Sequence, residues 1–473
     1  MVDCDLSQND LVSMDLTAND SLVSLGLDNN ELTAVTGINN KPNLESIRLR
    51  NVAHWAGGNN SFDSLDVSGC PSLTDLYLGR GSLSSLDVTG CTSMSTLDVS
   101  WNELSTIDLS TLDTLRYFNG AENQFDSLDL SNNEELRELY IDDNELTDLD
   151  LSNNHILKYL EFADNQLTSI DLSNNLLLIE LFAIRNDLVS IDLAANDSLV
   201  SVSLSNNALT TVTGVNNKPN LEGFYVSNLA HWGGYNNITS LDLSGCPSLE
   251  SISCQNNQLT SLDVSSNTAL TYLRCDANQL THLNMRNGVT DALTTFNATD
   301  NDSLECIETL DPDYATANWT YANGNIDGGV TFAVNCTSGY TYVPDDNFEQ
   351  ALIDLGYDDV LDNYVTTASI DTILTIDPWP PNEEDGVLPV RSLTGIKDFT
   401  ALTRLYVWDN ELTSLDVSGL LNLYKIYCMN NAITNLNVSN TPALTDLLCY
   451  SNQLTTLDVS TNTALDRLIC SDN

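Results

Sequence analysis

Four histidines, His54, His155, His231 and His282, are the whole stock of imidazole in this chain of 473 residues. Catalysis needs a nucleophile, a base or a metal centre gathered in one pocket, and these residues do not gather. His54 and His231 lie 177 residues apart, eight repeats by the frame developed below, or roughly 38 Å at ~4.8 Å per stacked strand. Shared metal ligation at that distance is excluded, and no enzyme activity, cofactor or metal site is expected. Among the 11 cysteines, Cys254 and Cys275, like Cys428, Cys449 and Cys470, follow one another at intervals of 21 in a slot otherwise held by an inward leucine. Neighbours ~4.8 Å apart with parallel Cβ vectors suit a disulfide poorly, so these thiols are expected to serve as small core hydrophobes. Cys306 and Cys336 differ in flanking an irregular segment, where a disulfide would close a loop over an open end.

A second slot reads Asp66, Asp87, Asp108, Asp129, Asp150, Asp171 and Asp192. Adjacent carboxylates at ~4.8 Å repel by roughly 0.9 kcal/mol even in water, so something must offset the ladder. Divalent cations are one reading; nearby Ser and Thr hydroxyls with solvent are the other. The second fits better, because the ladder lacks the oxygen cage that calcium takes.

Aromatic residues give the richest signal. One column runs through Tyr77, Tyr140, Phe182 and Tyr225 to Arg274, and Tyr117, Tyr159 and Tyr272 stand two residues before equivalent positions. Nearer the C-terminus Tyr406, Trp408, Tyr427 and Tyr450 fall on the same face. Rings on a broad surface supply contact area at little entropic cost, which suits protein or glycan recognition; the alternative is that aromatics simply favour strands. Two inserts, Ala53-His54-Trp55 and Ala230-His231-Trp232, lengthen their repeats. They are candidate protruding contact loops, with Trp55 and Trp232 folding back onto the edge as the competing reading.

The element that must position these groups is a repeat. Asparagine recurs every 21 residues from Asn102 to Asn207 and from Asn410 to Asn473, inside L-x-x-L-x-[LCIF]-x-x-N-x-L, as in Leu270, Leu273, Cys275, Asn278 and Leu280. Each unit makes one turn of a coil, its leucines inward and its Asn amide bonded to backbone at a turn. The third, fifth and seventh residues then alternate outward on the strand. A shorter second half, T-x-L-D-V-S-x-N, as in Thr260 to Asn267, carries its own turn residue, Asn133, Asn154, Asn175, Asn196 and Asn267, or Cys70, Cys91 and Cys246. With these motifs the chain resembles the nested 21-residue (IRREKO-type) leucine-rich repeats of internalin-like bacterial surface and secreted proteins, over nearly its whole length. The resemblance implies a right-handed, mostly parallel-β solenoid whose outward strand face is concave and binds a ligand.

Two tandem arrays are expected with a short capping helix between them. Residues 1–306 form the first array, of about thirteen repeats; 307–338 its C-terminal cap; 339–392 the N-terminal cap of the second; and 393–473 the second array. The period is lost over 287–338. In the second cap Asp346 and Glu349 fit a capping box, Phe348, Leu352 and Leu355 share a face, and Gly356 supplies a stop. A helix near 346–355 follows, with almost none elsewhere. Val35 to Leu44 reappears as Val212 to Leu221, evidence of block duplication.

Acidic residues number 67 against 16 basic, for a net charge of -51, which makes nucleic acid and anionic membrane poor partners. No apolar run is long enough to span a bilayer, so membrane insertion is not expected. Met1 and Asn473 both stand in repeat frame and no signal peptide is visible, so the arrays read as cut at each end. The expectation is an extracellular or cell-surface binding or adhesion module for a protein or glycan, with a structural stalk presenting another domain as the alternative.

Overall fold

The computed structural model describes residues 2–51, 59–228, 236–336, 339–361, 363–377 and 388–473. The chain divides into two compact units, Met1–Ala333 and Val334–Asn473.

In the first unit each turn contributes a three-residue strand whose middle side chain is buried and whose outer two are in most turns half-exposed, as in Glu138–Tyr140 and Tyr159–Glu161; small outer residues such as Ser203 and Ser253 are themselves buried. Period two in the strand and period 21 in the sequence produce this together, because every rung repeats the same in-out choice. Fourteen such strands make one parallel sheet, from Asp3–Asp5 to Thr295–Asn297. Its register is one residue to one residue: Tyr117 faces Glu138, Glu138 faces Tyr159, and Tyr159 faces Glu180. Leu136, Leu139 and Ile141, and their equivalents in the other turns, are wholly buried in a single continuous core.

The asparagines bind the rungs together. Asn123 Nδ2 donates to Gly120 and Ala121 in its own turn and to Val99 O one rung back, while its Oδ1 accepts the Leu104 N–H at 3.0 Å. One amide thus satisfies four backbone groups that the turn leaves buried. In the second half of the unit, Asn154 Nδ2 donates to Leu130 O and Asn133 O of the preceding rung. Cys91 fills the same slot by donating its thiol to Val67 O at 3.3 Å, which is why Asn and Cys exchange there.

The two inserts enter at one point in the turn. Asn51 and Asn60 exchange hydrogen bonds, Asn51 Nδ2 to Asn60 O at 2.9 Å and Asn60 N to Asn51 Oδ1 at 2.8 Å, and Asn60 then bonds Leu27 O and Leu32 N as an ordinary turn asparagine does. Asn228 and Asn236 repeat the clamp. The duplicated block has a structural task as well. Lys41 and Lys218 lie buried, their ammoniums on Asp20 and Asp197 at 2.8 Å. Gly37 and Gly214, both at φ +68, approach the backbone of Thr17 and Ala194 so closely that a Cβ would sit within 2.5 Å of it.

Two expectations need correction. The repeat is not lost at 287: Leu293, Phe296, Ala298 and Asn301 form a full turn, Thr295–Asn297 is the fourteenth strand, and Asn301 Oδ1 accepts Leu280 N at 3.0 Å. The spacing from Asn278 to Asn301 is 23 instead of 21, which hid it. Nor is helix confined to 346–355. Helix α1, Pro312–Asn318, is capped by Asp311, whose side chain accepts the Tyr314 N–H, with proline in the first turn where no N–H is missed. Trp319 follows, 5% exposed and packed against Phe296 and Phe332 at ring separations of 4.5 and 5.7 Å.

The second unit opens with an antiparallel pair, Tyr340–Tyr342 and Tyr364–Thr366, around helix α2, Asp346–Asp354. The cap of α2 is Asp345, not Asp346. Asp345 Oδ1 accepts from Asn347 and Phe348, and its Oδ2 from Arg391 and Ser392. Glu349 therefore falls one place beyond a capping box; it is buried and accepts the Tyr364 N–H at 3.1 Å. Leu355 is not on the buried face either, being 41% exposed where the helix has already ended. Gly356, at φ 80, closes it with Gly356 N to Ile353 O and Tyr357 N to Leu352 O, the paired bonds of a left-handed C-terminal cap. After the short helix α3, Thr367–Ile370, five parallel strands follow from Thr375–Ile376 to Arg467–Ile469.

Candidate binding face

The outward positions of the long sheet bring the aromatic residues into two columns. Register places Tyr77, Asp98, Asn119, Tyr140, Glu161, Phe182, Ser203, Tyr225, Ser253 and Arg274 in one line. Tyr117, Glu138, Tyr159 and Glu180 run beside it, with Tyr272 further along. Tyr140, Phe182 and Tyr225 thus sit on alternate rungs, each half-exposed. Tyr117 and Tyr140 touch, ring centroids 5.6 Å apart, and the Tyr140 hydroxyl donates to Glu138 Oε2 at 3.3 Å. In the second unit Tyr406 and Tyr427 are register partners with rings 5.2 Å apart, and Trp408 and Tyr450 stand two residues beyond the outward strand column, half-exposed.

Carboxylates crowd the same face of the first unit. Burial, together with Asp142 and Glu180, holds the Glu161 carboxyl above its ordinary range. Asp142 is raised by burial, Asp143 by burial and Asp164, and Glu122 by burial and Asp143. Glu122, Asp143, Asp164 and Arg185 occupy the left-handed turn residue of four successive rungs, at φ between 51 and 56, and Arg185 pairs with Asp164. Arg274 is tied down, its guanidinium bonded to both oxygens of Asp276 at 3.0 and 2.9 Å.

The aspartate ladder is explained by backbone. In every rung from Asp66 to Asp192 the Oδ1 accepts the N–H two residues on, at 2.9 to 3.0 Å, as Asp108 does from Ser110 and Asp150 from Ser152. Serine hydroxyl and backbone bonds hold Asp108, Asp129 and Asp150 below the usual carboxylate range. Among the described residues no group of three or more His, Cys, Asp and Glu could hold a metal ion. Cys254, Cys275, Cys428 and Cys449 are free and buried; burial pushes the Cys254 thiol up to about 12 and Cys449 to about 11, which keeps them protonated and unreactive at neutral pH. Cys470 departs from the expectation: it follows directly on the outermost strand of its sheet, Arg467–Ile469, and is exposed. Cys306 and Cys336 are the disulfide-bonded cysteines.

Leucines inward at fixed places, a parallel strand per turn and an asparagine ladder between turns decide the architecture. The chain is a leucine-rich-repeat solenoid. Internalins and other leucine-rich-repeat proteins are its structural neighbours. InlJ of Listeria monocytogenes, described as including a cysteine ladder, matches with a TM-score of 0.57 and 23% identity over 73% of each chain. An internalin (inlF) of the same organism matches at TM-score 0.47 and 20% identity over 59% of this chain and 81% of its own. A leucine-rich-repeat protein of Leptospira interrogans covers 93% of both chains at TM-score 0.44 and 17% identity. No family model and no curated protein matches the sequence.

Within this leucine-rich-repeat frame, His54, Trp55, His231 and Trp232 lie outside the described residues. His155 and His282 are exposed. Two groups near the outward strand columns of their own units went unread in the sequence. Trp101 is 45% exposed, with the Arg80 guanidinium 4.3 Å from its ring centre; both occupy the left-handed turn position, a place where aromatics are not anticipated. Tyr424, one residue before its strand, accepts a hydrogen bond from Arg404. The signal for both was the repeat frame itself, followed one place before the strand to Tyr424 and three places past it to Trp101.

Proposed function

We propose that this chain is a binding module that recognises a protein or glycan ligand on the outward face of its long sheet, in an extracellular or cell-surface setting. The observation that carries this reading is an asymmetry. In the first unit every repeat-borne tyrosine, Tyr77, Tyr117, Tyr140, Tyr159, Tyr225 and Tyr272, falls in the two outward columns of the long sheet. The short strands on the other side of the turn expose Ser, Asp, Thr, Ala and His instead, as in Ser64–Asp66 and Ser190–Asp192. If aromatics were there only because strands favour them, both sets of strands would carry them. A spacer has no use for such a bias, whereas recognition does, since rings half-buried at rest give up little freedom on contact.

The decisive variant is Tyr140→Ser, Phe182→Ser and Tyr225→Ser together. None of the three belongs to the buried core, so the solenoid should remain folded by circular dichroism. Arrays of extracellular proteins and of printed glycans, probed with the intact chain and with the variant, supply the readout. Signals present with the first and lost with the second are expected, because central aromatics commonly contribute ~2 kcal/mol or more each. Signals that persist unchanged place the site elsewhere, and no signal from the intact chain favours the stalk.

A further inference from the structure

The second unit sets unpaired cations in an outward strand column, which the long sheet of the first unit does not do: there the strand-borne Arg48 and Arg274 pair with Asp5 and Asp276. Of 16 Lys and Arg side chains, ten pair with a carboxylate among the described residues. Three that do not, Arg404, Lys425 and Arg467, stand in one outward column of a four-strand run, with Asp446 between the last two. Arg404 and Lys425 are direct register partners. Like charges placed opposite each other on adjacent strands destabilise a sheet, and Asp446, the register partner of Lys425 and Arg467, forms an ion pair with neither and accepts instead from the Thr445 hydroxyl at 2.9 Å. The pair is instead held in place by rings: the Arg404 guanidinium lies 5.3 Å from the centre of Tyr424, and the Lys425 ammonium 6.0 Å from Tyr424 and 5.5 Å from Tyr427. Tyr406 stands beside Tyr427 on the same face.

We propose that this cationic and aromatic strip binds an acidic polysaccharide of the uronate class, its carboxylates on Arg404 and Lys425 and its sugar rings on Tyr406 and Tyr427. The inference rests on the binding reading above but concerns a different unit and different residues. An anion relieves the unpaired cations, and a guanidinium takes a carboxylate through two parallel bonds. The aromatic faces offer stacking area to the apolar side of a pyranose ring. The backbone groups of these strands are already bonded across rungs, so a peptide laid on this face gains no main-chain bonds. The field of the whole chain opposes an anion, but at physiological salt it is screened beyond ~8 Å, and contact at the strip survives.

Tetragalacturonate titrated calorimetrically into the full chain tests this, with maltotetraose and tetraglutamate as comparisons. Tetragalacturonate should bind and the other two should not. Arg404→Gln with Lys425→Gln, both at exposed or half-exposed positions, should weaken binding by about ten-fold or more, since each charge-assisted bond is worth that much. The Tyr140, Phe182 and Tyr225 triple variant should bind tetragalacturonate as the intact chain does. Absence of binding, equal binding by the Gln variant, or equal binding of tetraglutamate each overturns the assignment. Loss of array signals in the triple variant alongside failure of tetragalacturonate sinks this inference and leaves the module's other face standing.

Discussion

Glu161 stands half-buried between aromatic neighbours with Asp142 and Glu180 close enough to raise its carboxyl, so at neutral pH it is charged at a cost to the fold. Its raised folded value means that its stabilising contribution is complete below the ordinary 4.5 and lost as pH rises through the folded value. Asp108, Asp129 and Asp150 behave oppositely: held low by serine and backbone bonds, they stabilise above the ordinary 3.8 and lose that contribution as pH falls through their folded values. The thermal midpoint should therefore hold or rise from pH 7 to about 5 and drop below about 4. Glu161→Gln should raise the midpoint at pH 7 and leave it unchanged at pH 4; a fall at pH 7 would show that the carboxylate is stabilising after all. Asn154 tests the turn slot. Asn154→Ala strips two buried carbonyls of their donor and should cost about 2 kcal/mol in chemical denaturation. Asn154→Cys should cost clearly less, because the thiol can donate as Cys91 does; equal losses would break the equivalence. Inward leucines and turn asparagines were legible in sequence because they repeat. The Asp ladder was legible in part: its Ser and Thr hydroxyl partners were expected and are present, whereas the backbone N–H two residues on was not, because no residue type announces it.

At the scale of elements, helix α2 shows how a correct helix can be read with the wrong cap. Its span, its Phe348 and Leu352 contacts and its Gly356 stop follow from spacing, whereas D-x-x-E at Asp346 and Glu349 mimicked a capping box one place late. The distinction is measurable. Asp345→Ala removes the acceptor for four N–H groups and should cost roughly 2 kcal/mol, the upper end for a cap. Asp346→Ala, on an exposed first-turn residue, should change stability by less than about 0.5 kcal/mol; reversed magnitudes would restore the original reading. The turn at Leu293 to Asn301 went unseen for a related reason: Phe296 and Ala298 exchange bulk between two inward slots, and two added residues break the period while leaving the hydrogen-bond ladder whole.

For the whole molecule, architecture was readable because a solenoid is decided locally, turn by turn, while the ligand was not, because outward columns are free of packing demands and record only what touches them. Cysteine chemistry offers a global check. Of 11 cysteines, nine are free and one of these, Cys470, is exposed. A thiol reagent should label Cys470 quickly in the native chain and nine thiols after denaturation without reductant; fewer than about seven would mean that ladder cysteines pair, contrary to their burial and raised pKa values.

The paired asparagines at Asn51 and Asn60, and again at Asn228 and Asn236, have a consequence for how such a chain can change. Each clamp returns the turn to its ladder as though nothing had intervened. Added length at this one place leaves strand register, core and neighbouring rungs untouched, whereas a single added residue inside a strand would reverse every outward side chain after it. The turn residue before each ladder asparagine is thus a port: new surface can be grafted there, rung by rung, without renegotiating the fold, and variation along the lineage should accumulate at that edge of the long sheet sooner than anywhere else on the molecule.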